Sequence, residues 1–314
     1  MKAIVLKKFG SVDNLEIKNI AVPEISADEV LVRVKAISIN PVDVKTRQGY
    51  VLAESLKNFS PIILGWDISG VVEDTGENVK NLIKGEKVFG MVNFVGHGKG
   101  YAQYVAVPAE HLAVMPKNIS FTEAAASTLA ALTAWQAFTH YGKLNKGDKV
   151  LIHGASGGVG HFAVQIARHL GAYVIGTSSE KNKDFVLSLG AQEHIDYKNQ
   201  KFENELDNVD FVLETIGGTN FIKSVKTLKN KGTIINLPAP ATDADKEAAN
   251  EKELNSCFFM GVFSSGTGMA KLAELLEAKI IKPYIHKVYA FDDIKEAHLE
   301  VEAGTVKGKV VVEL

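Results

Sequence analysis

One segment constrains the fold more than any other: the apolar stretch 149–153 runs directly into the glycine-rich turn 154–160. Ala155, Gly157 and Gly160 have the A-x-G-x-x-G spacing, a variant of the G-x-G-x-x-G dinucleotide fingerprint. A glycine at 157 lets the backbone approach a pyrophosphate, and a glycine at 160 lets the next helix pack against the strand. The start of that helix offers N–H groups with partial positive charge. The predicted phosphate-binding residues are Ala155, Ser156, Gly157, Gly158, Val159 and Gly160. The alternative is a glycine-rich turn without a ligand.

The chain after residue 149 alternates between short apolar stretches and amphipathic ones. The predicted strands are 149–153, 172–177, 209–214 and 233–237, and the predicted helices between them include 161–170 and 181–189. Strands that alternate with helices form a parallel sheet covered by helices on both faces. This part of the chain is therefore predicted to be an α/β domain.

The first 115 or so residues have a different pattern, with short alternating strands and many glycines and prolines. The predicted strands here are 29–36, 68–72, 87–92 and 101–107. Such closely spaced strands indicate a compact β-rich domain rather than βαβ units. The pattern changes near Ser120, after which 121–141 is predicted to be a helix.

Length and composition limit the classes of function. A chain of 314 residues is long enough for two domains. The 35 basic and 37 acidic residues nearly balance, which gives no field for binding nucleic acid or an acidic membrane. The single cysteine, Cys257, excludes an internal disulfide and a thiolate-rich zinc site. No apolar run reaches the roughly 18 residues of a membrane span, and the N-terminal run is too short for a signal peptide. We expect a soluble, cytoplasmic protein.

The end of the second predicted strand indicates which dinucleotide is bound. An NAD site usually has an acidic residue there, which bonds the ribose 2′-hydroxyl. This chain has Thr177, Ser178 and Ser179, followed by Lys183. Hydroxyls and an ammonium group suit a 2′-phosphate better, so the predicted cofactor is NADPH. Glu180 is expected in the first turn of the next helix, where it complements the helix dipole.

Several separate motifs, in order along the chain, resemble the quinone oxidoreductase branch of the medium-chain dehydrogenase/reductase superfamily. They are Asn40-x-x-Asp43, the P-x-x-x-G-x-D-x-x-G-x-V block at 61–72, A-L-T-A at 131–134, the loop at 153–160, 195–197 and G-K-V-V at 308–311. The resemblance implies a Rossmann NADP(H)-binding domain at 121–264. It also implies a β-rich GroES-like catalytic domain at 1–120 and 265–314, with the nicotinamide in a cleft between the two.

The resemblance and the strand ends together add cofactor contacts outside the loop. These candidates are Thr133, Tyr197, Thr215, Ile216, Leu237, Phe263 and Lys309. For Thr133 the alternative is a hydrogen bond to its own helix.

Zinc-dependent members of the superfamily have a cysteine where this chain has Asn40, and Gly-His-Glu where it has 65–67. With these ligands missing, we expect no metal. The acceptor oxygen then needs another donor. Asn40 and Tyr50 are the candidates, with hydride passing to a quinone or an enone. Alternatively, Asn40 satisfies backbone groups in a turn before Pro41. Asp43 is the third catalytic candidate, although a helix-capping role is expected for it.

Two other functions stay open at this point. One is reduction of an enoyl-CoA thioester by the same chemistry, and the other is a nucleotide-binding regulatory protein without turnover. The substrate is expected to be a small molecule. The apolar segment 257–263 is predicted to be an edge strand through which two copies form a homodimer.

Overall fold

The computed structural model describes the backbone of residues 1–314 and every side chain except that of Cys257. The chain divides into two compact units. The first contains residues 1–132 and 263–314, and the second contains residues 133–262.

The first unit is mainly β-structure. Its strands are β1 (Lys2–Leu6), β2 (Leu15–Asn19), β3 (Glu29–Ile39), β4 (Asp67–Thr75), β5 (Lys87–Met91), β6 (Tyr104–Pro108) and β7 (Ala113–Val114), with two more near the C-terminus given below. Its helices are α1 (Pro41–Arg47), α2 (Ala53–Leu56) and α3 (Phe121–Ala126). Helix α4 (Leu129–Gln136) crosses into the second unit and continues as a π-helical turn, Ala137–Tyr141.

The second unit alternates strands and helices. Its strands are β8 (Lys149–Ile152), β9 (Tyr173–Ser178), β10 (Glu193–Asp196), β11 (Val209–Glu214), β12 (Leu228–Asn236) and β13 (Asn255–Cys257). Its helices are α5 (Gly158–His169), α6 (Lys183–Ser188), α7 (Phe202–Glu205), α8 (Thr219–Thr227) and α9 (Asp243–Glu251). The chain then returns to the first unit with α10 (Gly266–Glu277), β14 (Ile285–Ala290), α11 (Ile294–Glu302) and β15 (Lys309–Glu313).

The sheet of the second unit has the strand order β10-β9-β8-β11-β12-β13, and every pair in it is parallel. The chain builds outward from β8 in one direction and then resumes at β11 on the other side. The carboxyl ends of β8 and β11 therefore form the topological switch point, where ligands bind in open α/β sheets. The residues that follow these two strands, 153–157 and 215–218, lie at this edge.

In the first unit, the main sheet has the order β14-β15-β3-β4-β5-β7, with β6 also paired to β3. Helix α3 packs on this sheet, where Ala125 and Ala126 lie in a buried cluster with Ala36 of β3 and Val311 of β15. The boundary between the units is therefore at 132/133 rather than at the predicted 120/121.

The predicted helix 121–141 is interrupted in the structure. The hydroxyls of Ser127 and Thr128 donate to the carbonyls of Glu123 and Ala125, which closes α3. The backbone N–H of Leu129 then donates to the Asp67 carboxylate at 2.9 Å, and α4 begins there. One predicted helix is thus two helices and a π-helical turn.

The predicted strand at 257–263 is also corrected. The outermost strand of the parallel sheet ends at Cys257, and 258–263 has no regular secondary structure. Among the described residues, no helix is long and apolar enough to cross a lipid bilayer.

Candidate active site

The phosphate loop forms the predicted turn between β8 and α5. Gly157 is the N-cap residue of α5, and as a glycine it has no side chain that could cap this 12-residue helix. Its first N–H groups are therefore left for another partner, and together with the helix dipole they suit a phosphate. The turn is held by a hydrogen bond from the Gly157 N–H to the Gly154 carbonyl at 2.8 Å. Gly154 has φ +59, which a glycine adopts without strain.

The two glycines of the fingerprint face different constraints. A Cβ on Gly160 would lie 2.1 Å from the carbonyl oxygen of Gly154 and 2.7 Å from the Cα of Ala155. Both atoms are backbone, so the loop would have to move. A Cβ on Gly157 would meet only the Gly154 oxygen, at 3.2 Å. Gly160 is thus needed for the fold of the loop, whereas Gly157 leaves open the face toward which the helix N-terminus points.

The hydroxyls of Thr177 and Ser178 are already engaged inside the second unit. Thr177 is buried and its Oγ1 lies 3.1 Å from Nδ1 of His153. Ser178 is also buried, with its Oγ 2.8 Å from Nε2 of His194 and 3.1 Å from the Ser179 carbonyl. Both hydroxyls thus have hydrogen-bond partners within the unit, which argues against a contact with the 2′-phosphate, and that contact stays a prediction.

The other predicted 2′-phosphate residues lie nearer the surface. Ser179 is half-buried, Tyr197 is exposed, and Lys183 is exposed beside Glu180 with 3.5 Å between the charged atoms. The sequence reasoning missed Asn182, whose side-chain N–H donates to the hydroxyl of Ser156 at 3.0 Å. This bond joins the phosphate loop to the segment after β9. A single polar residue in a short 3-10 helix gave no signal that would have identified it.

The loop after β11 contains the predicted residues Thr215 and Ile216. The Thr215 hydroxyl donates to the His153 carbonyl at 2.7 Å, and Ile216 is exposed. The backbone N–H of Leu237 donates to the carbonyl of Glu214, which places Leu237 beside this loop. Thr215, Ile216 and Leu237 therefore gather at the edge that carries the phosphate loop. The buried Glu214 is a second residue that sequence reasoning missed.

In the first unit, Asn40 lies at the start of α1 with its side chain inside a buried polar cluster. Its Nδ2 donates to Asp67 at 2.7 Å, and its Oδ1 accepts a hydrogen bond from the Lys309 ammonium. The Lys309 ammonium also donates to the Ile39 carbonyl and is 3.8 Å from Asp67. The pKa of Lys309 is lowered, because burial outweighs the opposite effect of the two nearby aspartates, Asp67 and Asp43. Its predicted contact with the cofactor stays a prediction.

Asp43 is fully buried. Its carboxylate accepts the backbone N–H of Asn40 at 2.8 Å, which closes the first turn of α1. This contact agrees with the expected capping role, and a catalytic role for Asp43 stays a prediction. Burial, followed by repulsion from Asp67, raises the pKa of Asp43 to about 7.

The buried cluster extends to Tyr101, whose hydroxyl is hydrogen-bonded to Nε2 of His298 at 3.1 Å. Burial and then the neighbouring Asp43 raise the pKa of Tyr101 well above its ordinary value. Burial and then Arg47 lower the pKa of His298 to about 3. At neutral pH both groups are therefore uncharged.

The remaining predicted residues lie at separate places. The side chain of Tyr50 is 68% exposed, just after α1. Thr133 is buried in α4, and Phe263 is the first residue of the first unit's C-terminal segment, with a partly exposed side chain. Their predicted roles stay predictions.

Two family models match the chain. Residues 26–117 match the alcohol dehydrogenase GroES-like domain, and residues 189–312 match a domain described as zinc-binding dehydrogenase. The chain is 35% identical to 2-methylene-furan-3-one reductase of Solanum lycopersicum, over 99% of this chain and 79% of that protein. It is 34% identical to NADPH-dependent alkenal/one oxidoreductase of Arabidopsis thaliana, again over 99% and 79%.

The fold agrees closely with a solved structure, that of the quinone oxidoreductase from Coxiella burnetii. The TM-score is 0.94 and the identity 34%, covering 100% of this chain and 99% of that one. The chain belongs to the medium-chain dehydrogenase/reductase superfamily, in its quinone oxidoreductase-like branch. The predicted family and fold class, a Rossmann domain with a GroES-like domain, are confirmed.

The residues at the positions of the zinc ligands do not fit a zinc ion. Asn40 replaces the thiolate, and the side chain at the imidazole position is Trp66, which is buried and donates to the Gly96 carbonyl. The ammonium of Lys309 bonds Asn40 and would repel a metal cation. Among the described side chains, no group of three or more His, Cys, Asp or Glu could hold a metal. Zinc independence stays a prediction.

Proposed function

We propose that this chain reduces small electrophiles, either α,β-unsaturated carbonyl compounds or quinones, with NADPH as the hydride donor. The observation that carries the proposal is the uncapped N-terminus of α5 behind the Gly157–Gly160 turn, at the switch point of a parallel sheet. The relatives confirm the predicted oxidoreductase class and cofactor, since they are named as enone, alkenal and quinone reductases and one as NADPH-dependent.

NADPH, when bound, supplies the hydride, and this chain's residues bind and orient the reactants. The N–H groups at the start of α5 neutralise the diphosphate charge. Ser179, Lys183 and Tyr197 supply a hydroxyl, an ammonium group and a phenol beside β9 for the 2′-phosphate. No acidic side chain occupies residues 177–179, so the acid that commonly binds a free 2′-hydroxyl is missing there.

Asn40 and Tyr50 are the proposed donors to the acceptor oxygen. The carboxamide of Asn40 has two N–H bonds, and one of them is used on Asp67. The ammonium on its oxygen draws electron density from the amide, which makes the second N–H a stronger donor. The exposed Tyr50 offers a second O–H, which can also deliver a proton. As reduction places negative charge on the acceptor oxygen, both donors bind the transition state more tightly than the ground state.

The experiment is to mix the protein with NADPH and a panel of quinones, enones and enoyl-CoA thioesters, and to follow the nicotinamide absorbance. We expect NADPH to be oxidised when quinones or enones are present. Asn40→Ala and Tyr50→Phe should each lower kcat/KM, and together by about 100-fold. Tyr173→Phe is the matched control, because this tyrosine is partly exposed at the start of β9 and bonds Glu193.

Each other result has a definite meaning. NADPH binding without turnover on any acceptor would support a regulatory protein instead. Turnover confined to enoyl-CoA would change the substrate class. Full activity of the double variant would remove both side chains from the mechanism.

We also propose a cytoplasmic homodimer. Its support is β13, the outermost strand of the parallel sheet, which has backbone groups available for pairing along one side. Light scattering that gives the mass of one chain at all concentrations would contradict the dimer.

A further inference from the structure

His153 is a buried histidine between the phosphate strand β8 and its glycine turn, and both of its ring nitrogens face a hydroxyl group. Its Nδ1 lies 3.1 Å from Oγ1 of Thr177, and its Nε2 lies 2.9 Å from Oγ of Ser224. Burial lowers the pKa of the imidazole, so the ring is neutral and has one proton. The partners of the two hydroxyls decide which nitrogen holds that proton.

Glu214 determines which ring nitrogen of His153 is protonated. Ser224 has a single hydroxyl proton, and it donates this proton to Oε2 of Glu214 at 2.8 Å. The Ser224 oxygen can then only accept from His153, so the proton of the ring is on Nε2. Nδ1 is left as an acceptor, and Thr177 donates its hydroxyl proton to it. The direction of every hydrogen bond in this series, from Thr177 through His153 and Ser224 to Glu214, follows from one carboxylate.

The same carboxylate holds the loop after β11. Its Oε1 accepts the backbone N–H groups of Ile216 at 2.8 Å and Gly217 at 3.0 Å, and its Oε2 accepts from Asn220 at 2.9 Å. With Ser224, this makes four donors around the two oxygens, which satisfies an ionised carboxylate in the interior. The Thr215 hydroxyl, bonded to the His153 carbonyl, closes the connection between the two loops.

We propose that Glu214 is a positioning residue of the cofactor site: it sets the Nε2–H tautomer of His153 and thereby couples the phosphate loop to the loop after β11. Its importance for catalysis rests on the proposed function, whereas the tautomer does not. The hydrogen-bonded chain also explains why Thr177 has no hydroxyl proton left for a cofactor phosphate.

Two variants separate the branches of this network. In Glu214→Gln the amide oxygen keeps the position of Oε1, because the backbone N–H groups of Ile216 and Gly217 can only donate. The amide nitrogen then takes the position of Oε2 and donates to Ser224. Ser224 must turn its own proton toward His153, which moves the proton of the ring to Nδ1. Ser224→Ala removes only the branch to His153 and keeps the hydrogen bonds that the N–H groups of Ile216 and Gly217 donate to Glu214.

The test combines a spectroscopic measurement with a binding measurement. The tautomer is read from ¹⁵N–¹H correlation spectra of the histidine rings, with His153→Gln identifying the signal among the nine histidines. NADPH Kd is measured by fluorescence titration and kcat at saturating NADPH. Glu203→Gln is the matched control, because Glu203 is a largely buried carboxylate of the same unit, paired with Lys223.

We expect the Nε2–H tautomer in the wild type and in Glu203→Gln, and the Nδ1–H tautomer in Glu214→Gln. NADPH Kd should rise roughly tenfold in Glu214→Gln, with a smaller rise in Ser224→Ala and kcat nearly unchanged. A wild-type imidazolium or Nδ1–H tautomer overturns the proposal, as does an unchanged Kd in Glu214→Gln. If Glu214→Gln does not fold, an unchanged Kd in Ser224→Ala overturns the coupling. Failure of the wild type to bind NADPH refutes the proposed function but leaves the tautomer result valid.

Discussion

The ammonium group of Lys309 donates a hydrogen bond to the side-chain oxygen of Asn40, in an interior where each residue is only 2% exposed. The Asn40 amide in turn donates to Asp67. The carboxamide therefore connects a buried cation to a buried anion, which fixes its orientation. Removing the cation leaves the charge of Asp67 without compensation, and the cost of such a change is large.

We therefore expect Lys309→Met to lower the free energy of unfolding by about 3 kcal/mol, measured by urea denaturation. Lys57→Met is the control, since Lys57 pairs with Glu54 at the surface, where such pairs contribute about 0–1 kcal/mol. Equal stability of the two variants would show that Asp67 does not depend on the lysine.

A second prediction concerns pH. The pKa of Asp43 is raised from 3.8 to about 7, so between these values the folded protein holds a proton that the unfolded chain has released. Stability falls with pH wherever the folded state binds more protons. The contribution of Asp43 is therefore favourable below about pH 4 and is lost as the pH rises to about 7, at about 1.4 kcal/mol for each unit of the shift.

Replacing Asp43 by Asn removes this titration while keeping an oxygen that can accept the Asn40 N–H. Urea unfolding at several pH values should show that the stability of Asp43→Asn relative to the wild type increases from pH 4 to pH 7. Asp243→Asn, at a fully exposed side chain, should show no such trend. Parallel curves for Asp43→Asn and the wild type would contradict the raised pKa.

The features of the fold that were predicted correctly depend on local backbone requirements. Gly154 has a positive φ in the turn, and Gly160 allows a close approach to it, all within seven residues. The short apolar strands around them indicate the parallel sheet by their alternation with helices. Such features leave a pattern in neighbouring residues, so they can be predicted from a single sequence.

The parts that were missed depend on contacts between distant residues. Asn40 and Lys309 are 269 positions apart, and no local pattern connects them. Thr177 and Ser178 were correctly placed at the end of a strand, but their hydrogen-bond partners are His153 and His194, which belong to other strands or their ends. The interruption of the helix predicted at 121–141 likewise depends on Asp67, 62 residues before Leu129.

A third prediction separates folding from binding in the phosphate loop. Alanine is ordinarily favoured over glycine inside a helix by about 1 kcal/mol, but a Cβ at Gly160 meets the Gly154 oxygen at 2.1 Å. Gly160→Ala should therefore lower the melting temperature by several degrees. Gly157→Ala meets the same oxygen only at 3.2 Å and should keep a melting temperature near that of the wild type while binding NADPH at least tenfold more weakly. Calorimetry and NADPH titration check both variants. A lowered melting temperature together with normal NADPH binding in Gly157→Ala would show that Gly157 serves folding and not binding.

The last prediction concerns the choice between NADPH and NADH. The hydroxyl of Thr177 is bonded to His153 inside the unit, so Thr177→Val should change the Kd values of NADPH and NADH by similar factors and leave their ratio unchanged. Lys183 is exposed, and its surface pair with Glu180 is worth little. Its ammonium is therefore available to a phosphate. Lys183→Ala should weaken the binding of NADPH by about tenfold, with little effect on the binding of NADH. Lys198→Ala is the control, because this lysine is exposed beyond β10. If Thr177→Val lost the preference for NADPH and Lys183→Ala kept it, the hydroxyl of Thr177 would be the group that binds the 2′-phosphate.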